Sequence, residues 1–392
     1  MAKRSVRDAP AAGKRVLVRV DHNVPLTEDG RVADDMRIVE SLETLEFLRK
    51  EGARIILLSH LGRPQGAPDP RFSLRPVARR LSELLGHPVA MAPGVVGPEV
   101  ERAARELRNG GLLYLENLRF HPGEEKNDPA FAAELASLGE LFVEEAFGTV
   151  HRAHASTVGV PQRLPSYAGF LVSREVTELS RLLDAPARPF MVLLGGAKVV
   201  DKLPLLTQLS SRADGILLGG ALAFPFLREA GADLGDQPVE GSLGPSCREF
   251  FARTRSRQVS VTLPVDFLAE ETASGEVHQV PSQKVPAGHR IFDIGPRTRE
   301  LFIATLQKSG TVFWNGPLGR VEDPRFRGGT QEVLRALAGI PGVHVSAGGD
   351  SGRALRELGA EGSFHYVSTG GGAALEFLEG RDLPGLRVLP EA

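Results

Sequence analysis

The sequence predicts an α/β protein with two domains, each built on a parallel sheet that helices cover on both faces. Runs rich in valine, isoleucine and leucine alternate with amphipathic helical stretches along the whole chain, which is the pattern of β-α-β units. The runs are apolar almost throughout, as expected of strands that are buried on both faces. At 392 residues the chain has room for two large domains. Its 42% hydrophobic and 24% charged residues are typical of a folded globular protein.

Ten apolar runs are predicted to form strands, five in each half of the chain. Helical patterns lie between them, such as MRIVESLETLEFLRKEG, which has leucines at helical spacing and ends on a glycine. The strand candidates are RVLVRVD (15–21), ARIILLSH (53–60), PVAMAP (88–93), GLLYLEN (111–117), LFVEEAF (141–147), FMVLLGG (190–196), GILLGG (215–220), VSVTLPVDF (259–267), TVFWNGP (311–317) and VHVSAGG (343–349).

A long helical pattern over roughly Phe170 to Leu183 joins the two halves. No linker rich in proline, glycine or serine separates them, so we interpret this segment as a rigid connecting helix. We predict a first domain over residues 1–170 and a second domain over residues 171–378.

The composition argues against several classes of protein. The formal net charge is −2 and the charges balance within each half, so no basic face for nucleic acid is expected. The uncharged apolar run Gly215 to Leu227 is shorter than the roughly 20 residues of a membrane-spanning helix, and the N-terminal residues lack the apolar core of a signal peptide. The single cysteine, Cys247, suits a reducing compartment. We expect a cytoplasmic monomer without a membrane or nucleic-acid partner.

Polar and basic side chains follow most of the predicted strands in the first half. In open parallel sheets, ligands bind beyond the carboxyl ends of the strands, where loops and helix N-termini converge. Several arginines on one such rim predict an anion pocket, because the guanidinium fork binds phosphate and carboxylate groups in bidentate geometry. The candidate residues are Asp21, Asn23, Arg37, His60, Arg63, Arg119, His121, His151, Arg152 and His154.

Other interpretations of this half are weaker. His151 and His154 could suggest a metal site, but they stand three residues apart in a loop without a nearby third ligand, which favours hydrogen-bonding roles. The pairs Glu124–Glu125 and Glu144–Glu145 could suggest acid–base chemistry. Adjacent carboxylates usually point apart, so we expect the first pair to lie on the solvated surface.

Glycines follow four predicted strands of the second half, together with lysine, aspartate and serine. Although only eight of the 47 basic residues are lysine, Lys198 and Lys202 follow a Gly-Gly pair on one predicted helix face, where backbone N–H and ammonium groups can both meet phosphates. The glycines of GGALAF would let a flat ring approach the backbone. Asp350 and Ser351 would offer oxygen ligands for Mg²⁺ with phosphate. Gly370 to Gly372 would begin a helix whose dipole favours anions, so this half is predicted to bind a nucleotide.

Two alternative nucleotide-binding patterns are absent from the sequence. The Walker A pattern G-x-x-x-x-G-K-[ST] occurs nowhere in the chain. No G-x-G-x-x-G is followed by an acidic residue about 20 positions later, which argues against a dehydrogenase.

The chain closely resembles the phosphoglycerate kinase family over nearly its whole length. The resemblance implies two Rossmann-like lobes joined by a connecting helix and a hinge, with residues 379–392 folding back on the first lobe. It also implies Mg²⁺-dependent transfer of a phosphoryl group between 1,3-bisphosphoglycerate and ADP. The motifs that carry the resemblance are RVD-x-NVP, SHLGRP, ENLRFHP, AFGT-x-HRAHAS, GGAKV-x-DK, DIGP, WNGP-x-G, GGDS and STGGGA.

The resemblance also implies roles for residues at the matching motif positions. The 3-phosphoglycerate site would comprise Asp21, His22, Asn23, Arg37, His60, Leu61, Gly62, Arg63, Arg119, His151 and Arg152. The ADP or ATP site would comprise Gly195, Lys198, Lys202, Gly219, Gly220, Asn315, Pro317, Glu322, Gly348, Gly349, Asp350 and Ser351, with Glu322 on the ribose and Asp350 on the metal. Arg37, Lys198 and Gly371 would act in catalysis by offsetting charge on the phosphoryl group.

The sequence departs from the family pattern at several positions. His22 replaces the usual aromatic residue, Glu144–Glu145 replaces Asn-Asp, and His289 replaces a tryptophan. Further departures are Ala221, Pro225 and Ile291. These changes concern the adenine side and the hinge region more than the phosphate contacts. They therefore bear on nucleotide preference and domain closure more than on the reaction.

A catalytically silent, nucleotide-binding relative is the main alternative to an enzyme. The retained arginines, lysines and Asp350 argue against it. The chemistry also fits what the sequence lacks, because a carboxylate acceptor is already ionised at pH 7 and needs no general base.

Hinge bending follows from placing the two substrates on different lobes, since closure must unite the half-sites and expel water. Small-angle X-ray scattering should therefore show a smaller radius of gyration when 3-phosphoglycerate and a nucleotide are bound together than when neither is bound. An unchanged radius would contradict the expectation.

Overall fold

The computed structural model describes residues 3–239 and 241–392 and divides into two units. The first unit contains the chain up to Thr177 together with Asp382–Ala392, and the second contains Glu178–Arg381. The boundaries predicted from the sequence, after residues 170 and 378, thus lie a few residues before those of the structure.

The first unit contains a six-stranded sheet in the order β3-β4-β2-β1-β5-β6, in which every neighbouring pair is parallel. Its strands are β1 (Arg15–Arg19), β2 (Arg54–Leu58), β3 (Val89–Met91), β4 (Leu112–Tyr114), β5 (Leu141–Glu144) and β6 (Ser166–Ala168). The helices are α1 (Met36–Val39), α2 (Leu42–Lys50), α3 (Arg75–Leu85), α4 (Pro98–Glu106), α5 (Pro129–Ser137) and the connecting helix α6 (Phe170–Asp184), which was predicted over nearly the same residues.

Except for the edge strand β3, the strands of this sheet are largely buried on both faces. Val16 and Val18 of β1 belong to one hydrophobic cluster, whereas Leu17 between them belongs to the cluster on the opposite face. Because successive side chains of a strand point to opposite faces, each strand needs apolar residues at every position. This explains why continuous apolar runs predicted β1 to β5, whereas the three-residue strand β6 was not predicted.

The second unit contains a six-stranded parallel sheet in the order β15-β14-β13-β7-β8-β9. A separate three-stranded antiparallel sheet has the order β11-β10-β12. The strands are β7 (Phe190–Leu194), β8 (Gly215–Leu218), β9 (Ser260–Thr262), β10 (Asp266–Glu271), β11 (Val277–Pro281), β12 (His289–Ile294), β13 (Thr311–Asn315), β14 (Val343–Ser346) and β15 (Tyr366–Val367). The helices are α7 (Val199–Leu209), α8 (Phe224–Glu229), α9 (Gly244–Ser256), α10 (Pro296–Leu306), α11 (Gly328–Leu337), α12 (Gly349–Leu358) and α13 (Gly372–Leu378).

The antiparallel sheet was not predicted. The run 259–267 was interpreted as one strand, but it contains two, β9 and β10, with Pro264 between them. Proline lacks the N–H that a strand interior requires, so the ladder is interrupted there. Strand β11 is largely exposed and polar, so it carries no continuous apolar run.

The C-terminal residues complete the first unit through the short helix α14 (Pro384–Arg387). The Gly385 N–H donates to the carbonyl of Val150 at 2.8 Å, and a Cβ at Gly385 would stand 2.8 Å from the Val150 Cα. Arg4 N–H donates to the carbonyl of Pro390. The C-terminal tail therefore contacts residues near the start of the chain and residues near Val150. Across the residues that the structure describes, no helix has the length and apolar character needed to cross a membrane.

Two glutamates at the end of β5 are fully buried. The Glu144 carboxyl accepts a hydrogen bond from Ala146 N–H at 2.9 Å, and its second oxygen has no partner among the described residues. Burial raises the pKa of Glu144 to about 8, against an ordinary value of 4.5, and raises the pKa of Glu145 as well. Glu144 is therefore mostly protonated near neutral pH.

Replacing Glu144 by glutamine should change how stability depends on pH. The raised folded-state pKa means that the Glu144 contribution is fully present below about pH 4.5 and is lost as the pH rises through about 8. Glu144→Gln should gain stability relative to the wild type over that range, by at most about 1.4 kcal/mol per pH unit. Urea unfolding at several pH values measures the difference, with the exposed Glu134→Gln as control. A difference that does not change with pH would contradict this assignment.

Candidate functional site

The structure brings the predicted rim residues of the first unit together. Arg37 Nη1 lies 3.0 Å from Asp21 Oδ2 and donates to the carbonyl of Asn23 at 3.2 Å. Asn23 Oδ1 accepts from Gly62 N–H at 3.0 Å, and Arg119 Nη1 donates to the Gly62 carbonyl at 2.7 Å. The loops after β1, β2 and β4 are thus linked to α1. We call these residues, with His60, Leu61, Arg63, His151 and Arg152, the basic cluster.

Asn117 fixes two loops of the basic cluster and was not singled out from the sequence. Its Oδ1 accepts from the N–H groups of Leu61 and Arg119, and its Nδ2 donates to the Leu61 carbonyl at 2.7 Å. The side chain is fully buried. An asparagine at the end of the predicted run 111–117 and two residues before an arginine is the signal that could have identified it.

A buried arginine, Arg19, lies beneath the basic cluster and was also missed. It is 1% exposed, donates from Nε to Ser156 Oγ at 2.8 Å, and its Nη2 lies 3.2 Å from His60 Nδ1. Burial, followed by the charges of Arg19, Arg119 and Arg152, lowers the pKa of His60 well below its usual value. The available signal was an arginine inside the otherwise apolar run RVLVRV.

The same causes act on His154. Burial, together with the neighbouring arginine charges, lowers the pKa of His154 to about 3. His60 and His154 are therefore neutral at physiological pH and can accept or donate hydrogen bonds without adding charge.

The expectation that Glu124 lies on the solvated surface is wrong. Its side chain is fully buried, where it accepts hydrogen bonds from Ser156 Oγ at 2.6 Å and Ser156 N–H at 3.1 Å. Burial raises the pKa of Glu124, while the nearby Arg19 charge opposes that shift. Glu125 does lie at the surface, and it forms an ion pair with Arg119 at 3.1 Å.

Some polar atoms of the basic cluster have no partner within the described part of the chain. Asp21 Oδ1 and Arg119 Nε are buried and without a hydrogen bond. Arg63 is exposed, and its side chain has no hydrogen bond or ion pair among the described residues. Buried polar atoms without partners are costly in a folded protein. An acceptor and a donor are therefore available to a ligand.

Three histidines that were predicted for the rim of the first unit make contacts with other residues of the protein. The His22 side chain is fully buried and does not reach the rim. His151 Nε2 accepts from Arg152 Nε at 3.1 Å. His121, proposed for the rim, stacks on Phe131 with ring centroids 3.8 Å apart, and its Nδ1 accepts from Gly123 N–H. His121 therefore orders its own loop.

The second unit has a cavity of about 330 Å³ at the carboxyl ends of its strands. Aromatic and aliphatic side chains form one part of its wall, and charged side chains and glycines form another. Of the residues predicted from the sequence, Gly220, Pro317, Glu322 and Asp350 line it. The remaining lining residues are Gly196, Ala197, Ala221, Phe224, Phe267, Ile291, Phe292, Asp293, Leu318, Gly319, Arg320 and Arg353.

Arg353 is a charged residue of this cavity that sequence reasoning missed. Its guanidinium lies 3.3 Å from both Glu322 Oε1 and Asp350 Oδ1. All three side chains are at least half exposed, so these ion pairs are weak and can exchange for a ligand. Its position three residues after Asp350 on α12 is the signal that places it on the same helix face.

Lys198 and Lys202 do not share a helix face as expected. Lys198 precedes α7 in a non-helical conformation and is exposed. Lys202 turns inward, where its ammonium group donates to the carbonyls of Gly195 and Asn315. Burial lowers the pKa of Lys202 to about 8. Only Lys198 is therefore freely placed to meet a phosphate.

The glycine pairs allow two loops to pack closely. A Cβ at Gly195 would stand 2.2 Å from the Pro317 carbonyl oxygen, and one at Gly219 would stand 2.6 Å from Leu318 Cδ2. The atom that a Cβ at Gly219 would meet belongs to a flexible side chain, whereas the one at Gly195 belongs to the backbone, so glycine is required more strictly at position 195. Gly220 does line the cavity, and its φ of +59° favours glycine.

Asp350 and Ser351 do not form a ligand pair. Ser351 is fully buried and its Oγ accepts from Gly316 N–H at 2.8 Å, whereas the Asp350 side chain is 76% exposed. Asn315 Nδ2 donates to the Ala347 carbonyl and approaches Gly348 closely enough to exclude a Cβ there. Gly349 has open space around it, as does Gly371, whose φ is +55° directly before α13.

The carboxylate of Asp350 fits a metal ion that takes most of its ligands from the substrate and from water. No group of three histidine, cysteine, aspartate or glutamate side chains that could hold a metal occurs within residues 3–239 and 241–392. Mg²⁺ commonly binds one or two carboxylates, phosphates and several waters instead of a complete protein cage. The exposed carboxylate of Asp350 meets that requirement.

Comparison with known proteins identifies the family. A family model described as phosphoglycerate kinase matches residues 6–381. The chain belongs to the phosphoglycerate kinase family. It is therefore a phosphotransferase of glycolysis, which exchanges a phosphoryl group between 1,3-bisphosphoglycerate and ADP to give 3-phosphoglycerate and ATP.

Individual relatives and solved structures agree with this family. Phosphoglycerate kinase from Rubrobacter xylanophilus is 51% identical over 393 residues, covering 100% of this chain and 99% of the relative. That from Thermus thermophilus is 50% identical, covering 98% and 99%. The structure of phosphoglycerate kinase from Coxiella burnetii has a TM-score of 0.89 at 35% identity, with 98% of each chain covered. The Pyrococcus horikoshii enzyme has a TM-score of 0.86 at 32% identity, with the same coverage. The predicted fold class is confirmed.

Proposed function

We propose that the basic cluster of the first unit binds the acid substrate, 3-phosphoglycerate or its acyl phosphate. The observation that carries this proposal is the pair of unpartnered buried atoms, Asp21 Oδ1 and Arg119 Nε, within one cluster of arginines. A substrate hydroxyl would donate to Asp21, and a phosphate would accept from Arg119. Exposed Arg63 and half-buried Arg152 would supply further positive charge.

His60 would serve this site as a neutral hydrogen-bonding group. Its lowered pKa keeps the imidazole uncharged at the pH of the cell. One ring nitrogen faces Arg19, which leaves the other for a substrate oxygen. The buried Arg19 and Glu124 would maintain the position of His60 without contacting the substrate.

The cavity of the second unit is proposed to bind ADP or ATP. Phe224, Phe267, Ile291 and Phe292 offer apolar and aromatic surface for a base, while Glu322 offers acceptors for ribose hydroxyls. Asp350 would hold Mg²⁺, which supplies neutralisation of phosphate charge when it is bound. Arg353 would release the two carboxylates and turn toward the phosphates.

Catalysis is proposed to depend on positive charge and oriented N–H groups instead of a general base. The acceptor carboxylate is already ionised at pH 7, so no proton has to be removed. Lys198, Arg37 and the backbone N–H groups at Gly371 and Gly372 would offset the charge on the equatorial phosphoryl oxygens. We also propose that the protein acts as a monomer in the cytoplasm, on the basis of its single buried cysteine and balanced charge.

Arg119→Ala should weaken binding of 3-phosphoglycerate while leaving the affinity for ATP unchanged. Loss of a charge-assisted, bidentate group should raise the KM for 3-phosphoglycerate about 10- to 100-fold. Steady-state kinetics with each substrate varied in turn measures this, and Arg102→Ala, which removes an exposed arginine of the same unit, is the control. An unchanged KM for 3-phosphoglycerate in a folded Arg119→Ala protein would refute the proposed acid site.

Lys198→Ala should slow the chemical step. If the ammonium group offsets charge only in the transition state, kcat should fall about 100- to 1,000-fold with little change in either KM. Lys308→Ala removes an exposed lysine of the same unit and should have no such effect. A kcat near that of the wild type would show that Lys198 has no catalytic role.

A further inference from the structure

We propose that His22 is a positioning residue, which holds the acid-binding residues in place through a directional chain of buried hydrogen bonds with Tyr114 and Ser41. The inference rests on the proposed acid-substrate site. It concerns a position at which the sequence departs from the aromatic residue that the family pattern predicts.

His22 is fully enclosed by hydrogen-bonding partners from other segments. Its Nδ1 lies 2.9 Å from Tyr114 Oη and its Nε2 lies 2.9 Å from Ser41 Oγ. Its backbone N–H donates to Ser59 Oγ at 3.1 Å. His22, Tyr114 and Ser59 have no exposed surface, and Ser41 is 2% exposed. The network is therefore shielded from water.

The positions of the hydrogens follow from the partners. We assign the single hydrogen of Ser41 Oγ to its hydrogen bond with the Ile38 carbonyl at 2.8 Å, so that Ser41 Oγ accepts from His22 Nε2–H. A neutral imidazole carries one N–H, so Nδ1 must accept from the Tyr114 hydroxyl. Burial, together with Arg19 and Arg37, lowers the pKa of His22 to about 3, which agrees with a neutral ring. The direction is thus Tyr114 to His22 to Ser41 to Ile38.

This chain of hydrogen bonds ends on the helix that presents Arg37. Helix α1 has only four residues, Met36–Val39, which is too short to be stable without side-chain contacts. At its start, Arg80 donates from Nε and Nη2 to Asp35 Oδ2, at 2.9 and 2.7 Å. At its end, the Ser41 hydroxyl donates a hydrogen bond to the Ile38 carbonyl. His22 is therefore connected to the orientation of Arg37.

The other ends of the network lie beside further residues of the basic cluster. His22 stands between Asp21 and Asn23, and Ser59 directly precedes His60. Tyr114 ends β4, which leads to Asn117 and Arg119. A phenylalanine at position 22 could fill the same space, but it could not accept from Tyr114 or donate to Ser41. The hydrogen bonds thus join four segments of the acid site where an apolar ring would only pack between them.

Two conservative substitutions test this inference. Tyr114→Phe and Ser41→Ala each remove one hydroxyl of the network and leave the His22 ring in place. Each should raise the KM for 3-phosphoglycerate about 3- to 10-fold, as expected from loss of one or two buried hydrogen bonds, with the KM for ATP unchanged. Their combination should raise it less than the product of the single effects, because the two groups act through one ring.

Tyr167→Phe is the matched control, because Tyr167 is a buried tyrosine of the same hydrophobic cluster and its hydroxyl has no hydrogen bond among the described residues. It should leave every KM unchanged. ¹⁵N NMR of the imidazole, assigned by loss of the signals in His22→Phe, should show a hydrogen on Nε2 and none on Nδ1 in the wild type.

The outcomes separate this inference from the proposed acid site. If Arg119→Ala raises the KM for 3-phosphoglycerate but Tyr114→Phe and Ser41→Ala only lower stability to urea, His22 has a merely structural role and the inference is wrong. A hydrogen on Nδ1 would also overturn it. If none of these variants changes that KM, the acid site itself is misplaced.

Discussion

Repulsion between two anionic substrates is the constraint on which both sites of this enzyme depend. A carboxylate must approach a phosphoryl group that already carries negative charge, and water would screen any single compensating residue. We propose that this is why guanidinium groups lie together at one edge of the first sheet and why an exposed lysine follows glycines in the second unit. Both arrangements are possible because parallel strands deliver their carboxyl ends, and the loops that follow, to one edge of a sheet.

Several arginines in one cluster repel each other, and the fold offsets this cost without neutralising the cluster. Asp21 pairs with Arg37, and exposed Glu125 pairs with Arg119. Beneath them the buried Glu124 lies close enough to Arg19 for its pKa to be affected by that charge. The histidines respond in the opposite way, since burial, reinforced by the same arginine charges, lowers the pKa of His60 and keeps it uncharged. The cluster thus retains positive charge, and two of its buried atoms, Asp21 Oδ1 and Arg119 Nε, keep no hydrogen-bond partner among the described residues.

The sequence predicted most strands of the two parallel sheets because they are continuous apolar runs, but it missed the short edge strands β6 and β15. It also predicted that polar residues after the strands of the first unit lie together, as they do in the basic cluster. It could not predict strand β11, whose mostly exposed side chains form no apolar run. It also could not show which way a side chain turns. Lys202 and Ser351 face inward to backbone groups, and Arg19 reaches the site from inside a strand. These orientations depend on tertiary contacts that no local pattern records.

A crystal structure of the protein with 3-phosphoglycerate bound is the most direct test of the account. We predict that an oxygen of the ligand's phosphate or carboxylate accepts from Arg119 Nε and that its hydroxyl donates to Asp21 Oδ1, so that both buried atoms gain partners. A ligand bound elsewhere, with these two atoms still unpaired, would contradict the claim that the basic cluster is built for the acid substrate.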